Sequence, residues 1–472
     1  MDLVAASFAL LIPVALGTAW FRLLVPVDVP SRLAIIFGHG TLAGLIAVTI
    51  ILRWLDSMGR PLSFTDTSLV AIALTAIALL IHFFRTAKDR STQTNSSGSN
   101  TWSQLTLGGR LLFCALLVLV LWRVGILAVE VYWRPLFPWD ATMHWATKAR
   151  VWFEHRSMVP FIGEFEWLRL GGDGFYTDRH PSYPPTIPLL QVWINIALDH
   201  WDESLMNLPW LAAFCALGLC FFSQLRVAGL TLPVAMASTY LLLSMPLLNI
   251  HVALAGYADL FLGATFACAL MALHNWSVKR DRWQAGILII FTAACYLIKN
   301  EGAVWPMTLI PAVAAAFMAR REAAKLFFLF CLLGLFGWLV VPKDWALAGI
   351  PLNQLAPIFN LNALKGVLTS VFVHNNWHFF GYLMLSLVSL GVLIPGGLTR
   401  DFLPLSVALG SAVGLFLFLF LCTGFGWAAS NYTAVGRLSI QLAPGLAFLG
   451  ALLFHEVLER RGFRRPFGTG RS

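Results

Sequence analysis

The sequence predicts an all-α, polytopic membrane protein, and three observations carry that prediction. Of 472 residues, 58% are hydrophobic and only 12% charged, and the mean hydropathy is +0.76. A soluble chain of this length carries about twice that charge. The apolar residues also fall in runs of about 17 to 24, the length at which a helix crosses a bilayer core. Basic residues, finally, cluster in short segments between the runs: Arg85, Lys88, Arg90 and Arg110; Lys279, Arg280 and Arg282; Arg320, Arg321 and Lys325; and Arg460, Arg461, Arg464, Arg465 and Arg471 in the tail. The positive-inside rule puts these segments in the cytoplasm and explains the net charge of +9 without nucleic acid.

The runs lie near 3–26, 33–53, 67–84, 111–130, 185–199, 208–228, 232–250, 257–274, 284–298, 303–319, 325–341, 377–396, 402–421 and 438–457. The first has no basic n-region and no clear small-residue cleavage site, so it reads as a membrane helix and not a removed signal. Residues 1–84 form an N-terminal three-helix unit. Residues 85–110, with the tract RSTQTNSSGSNTWSQ, cannot bury a core and read as a polar cytoplasmic linker. A membrane module follows over 111–341, with an external loop at 131–184. A second external loop spans 342–376, C-terminal membrane helices 377–457, and a basic cytoplasmic tail 458–472.

With the basic segments held inside, 111–130 runs outward and 257–274 runs inward. Three apolar runs lie between these external points, where an even number of crossings is required. The run at 185–199 is short, holds Pro188, Gln191 and Asn195, and precedes an acidic stretch. It is placed at the external interface or as a re-entrant helix. Thirteen crossings result, with the N-terminus outside and the C-terminus inside. Both long external loops carry tryptophan among polar residues, as juxtamembrane helices do. In the first, Trp145, Ala149 and Trp152 recur at helical spacing, and His144 and Lys148 share the neighbouring face.

Charge at the mouth of a membrane span is expensive, which draws attention to RPLFPWDATMHWATKAR over Arg134–Arg150. Asp140 opens its helical pattern as a cap or serves as a general base with a raised pKa. His180 and Tyr183, in the proline-stiffened HPSYPPTIP, are interfacial anchors or part of a site. Asp259 starts a long apolar run, where it caps a helix or meets a cation, hydroxyl or ligand. Lys299 and Glu301 pair with each other, or Lys299 faces a ligand phosphate. Arg437 snorkels to headgroups or grips a phosphate with its forked donors.

Other chemistry is excluded. The chain has no P-loop, Rossmann glycine fingerprint, HExxH or CxxC. The cytoplasmic segments are too short for a nucleotide-binding domain. Cys114, Cys215, Cys220, Cys268, Cys295, Cys331 and Cys422 show neither metal spacing nor a disulfide framework and read as small buried hydrophobes.

Taken in order, these residues resemble the GT-C superfamily of polytopic glycosyltransferases, whose bacterial members include relatives of protein mannosyltransferases and lipid A sugar transferases. Asp140 matches the carboxylate of the first external loop. His180 with Pro184 and Pro185 matches the entry motif, and Asp259 the second acid. Lys299 to Gly302 is similar to a broken-helix motif, and Arg437 with Pro444 to a late arginine and proline. The likeness covers residues about 110–457.

It implies an inverting transfer from a polyprenyl-phosphate sugar to a hydroxyl of a glycan, lipid or protein, with no cofactor. Asp140 would be catalytic, with Lys148, His180, Tyr183, Asp259, Lys299, Glu301 and Arg437 binding substrate. It also implies a bacterial inner membrane and a site on the periplasmic side. Many relatives carry paired acids in the first loop, whereas Asp140 is followed by Ala141, so no metal is expected. A ligase or polymerase using a polyprenyl diphosphate would call for more clustered external arginines. A lipid-linked substrate transporter would call for internal repeats.

Overall fold

The structure, a computed structural model, describes residues 1–89, 102–340, 342, 345–347, 350–351, 359–393 and 399–460. The tract over 90–101 and the tail beyond 460, with Arg461, Arg464, Arg465 and Arg471, lie outside them. The described chain is mostly helical, its strands limited to two-residue pairs. Eight helices are long and apolar enough to cross a membrane, or nine if the bent pair at Leu232–Leu243 and Pro246–Ala253 counts as one span. Several of the expected runs form shorter helices, because prolines, glycines and 3-10 turns interrupt them.

The chain divides into two compact units. The first contains Met1–Gln104, Cys114–Ser223 and Asn249–Phe261. It begins with α1 (Asp2–Leu24), α2 (Arg32–Ser57) and α3 (Phe64–Asp89). Helices α1 and α2 touch backbone to backbone. A Cβ added to Gly17 would sit 1.8 Å from the Gly40 carbonyl oxygen, and one added to Gly44 1.8 Å from that of Pro13. Gly40 and Gly44 thus form the small-xxx-small seam by which membrane helices approach closely.

Next come most of α4 (Leu107–Trp133), a wide helical turn at Ala141–Ala146, α5 (Thr147–His155), α6 (Glu164–Arg169), α7 (Thr186–Leu198) and most of α8 (Leu208–Val227). A parallel pair of short strands, Phe161–Ile162 beside Tyr176–Thr177, ties the middle of the loop to its later part. The segment read from sequence as non-crossing is α7. Its 13 residues reach about 20 Å, short of the ~30 Å hydrocarbon core. Every residue from Thr186 to Ile196 is buried, against α1, α2 and α5 among others. Trp193 anchors it, donating to the Ala9 carbonyl at 2.9 Å and packing on Phe64.

The second unit contains Leu105–Phe113, Gln224–Leu248 and Leu262–Ser472. Its helices include α9 (Leu232–Leu243), most of α11 (Asp259–Lys279; α10 is Pro246–Ala253), α12 (Arg282–Cys295), α13 (Leu309–Ala315) and α14 (Arg320–Val340). Then follow α15 (Leu361–Leu368), α16 (Phe380–Leu393), α17 (Leu403–Cys422), α18 (Gly426–Ser430) and α19 (Val435–Arg460). Buried amides link three segments: Gln224 Oε1 accepts from Asn275 Nδ2 at 2.7 Å and from Gln284 Nε2 at 3.0 Å. Such bonds hold apolar helices in register where water offers no alternative partner. Between α12 and α13 the chain runs through two 3-10 turns, Asn300–Ala303 and Trp305–Thr308. Gly302 is required there, since a Cβ would fall 1.9 Å from the Cys295 carbonyl oxygen.

The cysteines correct one expectation. All seven are free, but only Cys220, Cys268 and Cys295 are buried, whereas Cys114 and Cys331 lie on exposed helix faces. Cys114 lies on the membrane-length α4, where an exposed apolar face suits lipid and a small apolar thiol is tolerated.

Candidate functional site

The loop between α4 and α7 folds its polar residues onto one buried carboxylate, Asp178. His144 Nδ1 lies 2.6 Å from Asp178 Oδ1, and Lys148 Nζ lies 2.7 Å from Oδ2. The backbone N–H of His180 donates to Oδ1 at 3.1 Å. Lys148 also donates to the His180 carbonyl at 2.7 Å. The Lys148 and Asp178 side chains are both 2% exposed, so this is a buried ion pair in which Oδ1 accepts the hydrogen bonds and Oδ2 meets the Lys148 charge. A carboxylate only accepts, so His144 Nδ1 carries a proton and donates it to Asp178 Oδ1.

Local sequence explains how the loop delivers these groups. His144 and Lys148 are four residues apart and share a helical face. Trp145, Ala149 and Trp152 lie on the neighbouring face and are buried. Trp145 stacks on Tyr183 with ring centres 4.7 Å apart, and Tyr183 stacks on His180 at 4.8 Å. His144 meets His180 edge-on at 4.8 Å. Pro181, Pro184 and Pro185 restrict the chain around this stack.

The charges follow from the surroundings. Burial pushes the Asp178 carboxyl up, but its bonds to His144 and Lys148, the Lys148 charge and the His180 N–H outweigh it and hold the pKa down to about 2. Lys148 is lowered by burial, with Asp178 opposing. His180 is also lowered, first by burial and then by His144 and Lys148, against the pull of Asp178 and Asp140. The Asp140 charge is therefore felt at His180.

Asp140 itself is half-buried at the start of the wide turn. Its backbone is helical, φ −65° and ψ −31°, and its side chain makes no capping hydrogen bond. The cap reading thus lacks the bond that defines it. Trp133, Phe137 and Trp139 are exposed on the approach to it, as aromatics at a membrane interface are.

Asp259, the first residue of α11, is wholly buried in the same unit. The turn before it presses on the helix start that carries Asp140. Gly256, at φ +106°, leaves room for Ala141, whose Cβ would be 2.6 Å from an added Cβ. Trp210 Nε1 fixes this turn by donating to the Tyr257 carbonyl at 2.8 Å.

The other expected residues belong to the second unit. Lys299 is buried and pairs with Glu301 at 3.0 Å, so the two do meet each other. Glu301 Oε2 is buried without a hydrogen-bond partner among the described residues. Arg437 is half-buried in the first turn of α19.

The structure therefore brings Asp140, Lys148, His180 and Tyr183 into one neighbourhood, with the turn before Asp259 packed at its edge. Sequence reasoning passed over Asp178, the residue on which the cluster converges. Its one sequence signal is Asp178-Arg179-His180, an acid two residues before the histidine of a proline-rich entry.

Comparison of the chain with protein-family models, with curated proteins and with solved structures found no match in any of the three.

Proposed function

We propose that the protein is a membrane glycosyltransferase that moves a sugar from a polyprenyl phosphate to an acceptor hydroxyl at the external membrane face. Asp140 accepts the hydroxyl proton as the oxygen attacks the anomeric carbon. The bond from that carbon to the phosphate oxygen breaks, and polyprenyl phosphate leaves as an anion with inversion at the sugar. Asp178 keeps His144 and Lys148 in place beside Asp140, and His180 and Tyr183 form a stacked wall suited to a sugar face. In this reading the chain crosses a bacterial inner membrane thirteen times, and the loop after α4 faces the periplasm.

The observation that carries the proposal is a half-buried carboxylate, not used as a cap, beside a polar cluster of His144, Lys148, Asp178 and His180 on a loop entered from a membrane-length helix. Such a loop supplies a base beside polar groups already held in a fixed arrangement, and preorganised polar groups are usually the largest catalytic contribution. The test is release of undecaprenyl phosphate from undecaprenyl-phosphate sugars by purified protein given envelope acceptors. Asp140→Asn is expected to fold normally and to lower turnover by about two to four orders of magnitude. Full turnover in a folded Asp140→Asn protein would remove the base from this scheme.

A further inference from the structure

Helix α4 is the least buried of the membrane-length helices among the described residues. It has the highest hydropathy of the eight, 2.6, yet only 6% of its apolar window is buried, against 22% to 83% for the other seven. Of its apolar side chains only Leu127 and Val131 are buried. Lipid accounts for an exposed apolar helix, but not for Arg123. This half-buried arginine lies well inside the apolar stretch, seven residues from Glu130 and thirteen from Arg110. At 1.5 Å per residue it is about 10 Å from the level of Glu130 and about 20 Å from Arg110. Side chains on a helix lean toward its N-terminus, so Arg123 leans away from the nearer end and snorkels poorly toward it. It forms no hydrogen bond or ion pair with any described residue.

Arg123, Glu130 and Arg134 lie along one flank of α4, where Glu130 and Arg134 pair with each other. On the adjoining face Gly125 leaves a notch between Trp122, Ile126 and Val129, part of a hollow of about 830 Å³ along the helix. A cation beside a glycine notch at membrane depth matches two needs of helix–helix association in lipid, close backbone approach and a buried polar bond.

We infer that α4 is the docking face for a transmembrane helix of another protein that carries a carboxylate near its midpoint, with Arg123 as the partner of that carboxylate. A second copy of this chain does not fit. Two parallel α4 helices would set Arg123 against Arg123, and the nearest α4 carboxylate, Glu130, is displaced by about 10 Å in the direction opposite to the lean of Arg123. Lipid phosphates sit at the two interfaces, and the nearer one lies on the side from which Arg123 leans away while the other is about 20 Å off, beyond its reach.

Full-length protein in nanodiscs, paired with a fluorescent poly-Leu transmembrane peptide bearing a central Glu or Leu, tests this by energy transfer. The Glu peptide is expected to associate at least tenfold more tightly than the Leu peptide. Arg123→Leu should abolish the preference and Arg123→Lys should keep most of it. Without peptide, Arg123→Leu should melt no lower than the wild type. Equal association of both peptides, or a preference that survives Arg123→Leu, overturns the inference. So does a lowered melting temperature for Arg123→Leu, which would place its partner within the chain. Loss of a retained anionic lipid in Arg123→Leu, with no peptide preference in the wild type, would assign the arginine to a phosphate instead.

Discussion

His144 and Asp178, 34 residues apart in the chain, hold each other at 2.6 Å through Nδ1 and Oδ1. Their bond joins the start of the loop to its end. It also sets the histidine's ring orientation, so Nε2 is presented in a defined direction.

Lys148 and Asp178 are buried together, so removing one charge strands the other. Asp178→Asn is expected to destabilise the protein by about 3–5 kcal/mol, the usual cost of breaking a buried pair. Adding Lys148→Met to Asp178→Asn should recover much of that loss, because the stranded ammonium is then gone. A double-mutant cycle by thermal or denaturant unfolding measures it, and additive losses would show that the pair is not coupled.

The pH dependence has two parts with the same sign. The Asp178 carboxyl, held down to about 2, stabilises the fold above its ordinary value of 3.8 and loses that contribution as pH falls from there toward 2. His180 is lowered below 6.5, so the unfolded chain binds its proton more readily and stability declines as pH drops below 6.5. Melting temperatures across pH 7 to 3 should therefore fall in two stages. His180→Gln should flatten the upper stage, and Asp178→Asn the lower one.

Gly256 is a third point of leverage. With φ at +106° and Ala141 and Leu136 within 2.7 Å of any added Cβ, Gly256→Ala is strained in backbone and in space. A loss of about 1–3 kcal/mol is expected. Because the displaced neighbour is Ala141, turnover should fall further than the lost stability accounts for. Unchanged turnover in the folded fraction would uncouple this turn from Asp140.

Arg437→Lys separates phosphate binding from anchoring in the second unit. A bidentate grip is lost on substitution by lysine, so affinity for undecaprenyl phosphate should fall by about tenfold, the scale of one charged hydrogen bond. Undiminished affinity would leave Arg437 as a headgroup anchor.

The membrane-length helices were legible in the sequence because an apolar run of sufficient length has few other uses. The interruptions were less so. The run at 284–298 becomes a 14-residue helix ending at Cys295, because the chain beyond it is held in 3-10 turns by Gly302 and by Pro306. The shared face of His144 and Lys148 was legible from their spacing, since four residues make about one helical turn. Their common partner was not, because Asp178 reaches them only through the short parallel pairing of Phe161–Ile162 with Tyr176–Thr177. No local pattern encodes that closure.

The position of α7 gives the three N-terminal helices, to which the sequence assigned no role, a place in the history of the molecule. This short helix packs against α5 as well as against α1 and α2. Chains emerge from the ribosome N-terminus first, and their early segments fold first. The glycine-seamed α1–α2 pair is therefore assembled before Asp140 or Asp178 has been synthesised. The site loop is laid down on a surface that already exists, and an insertion defect in the first sixty residues would surface as a misassembled site some eighty residues later.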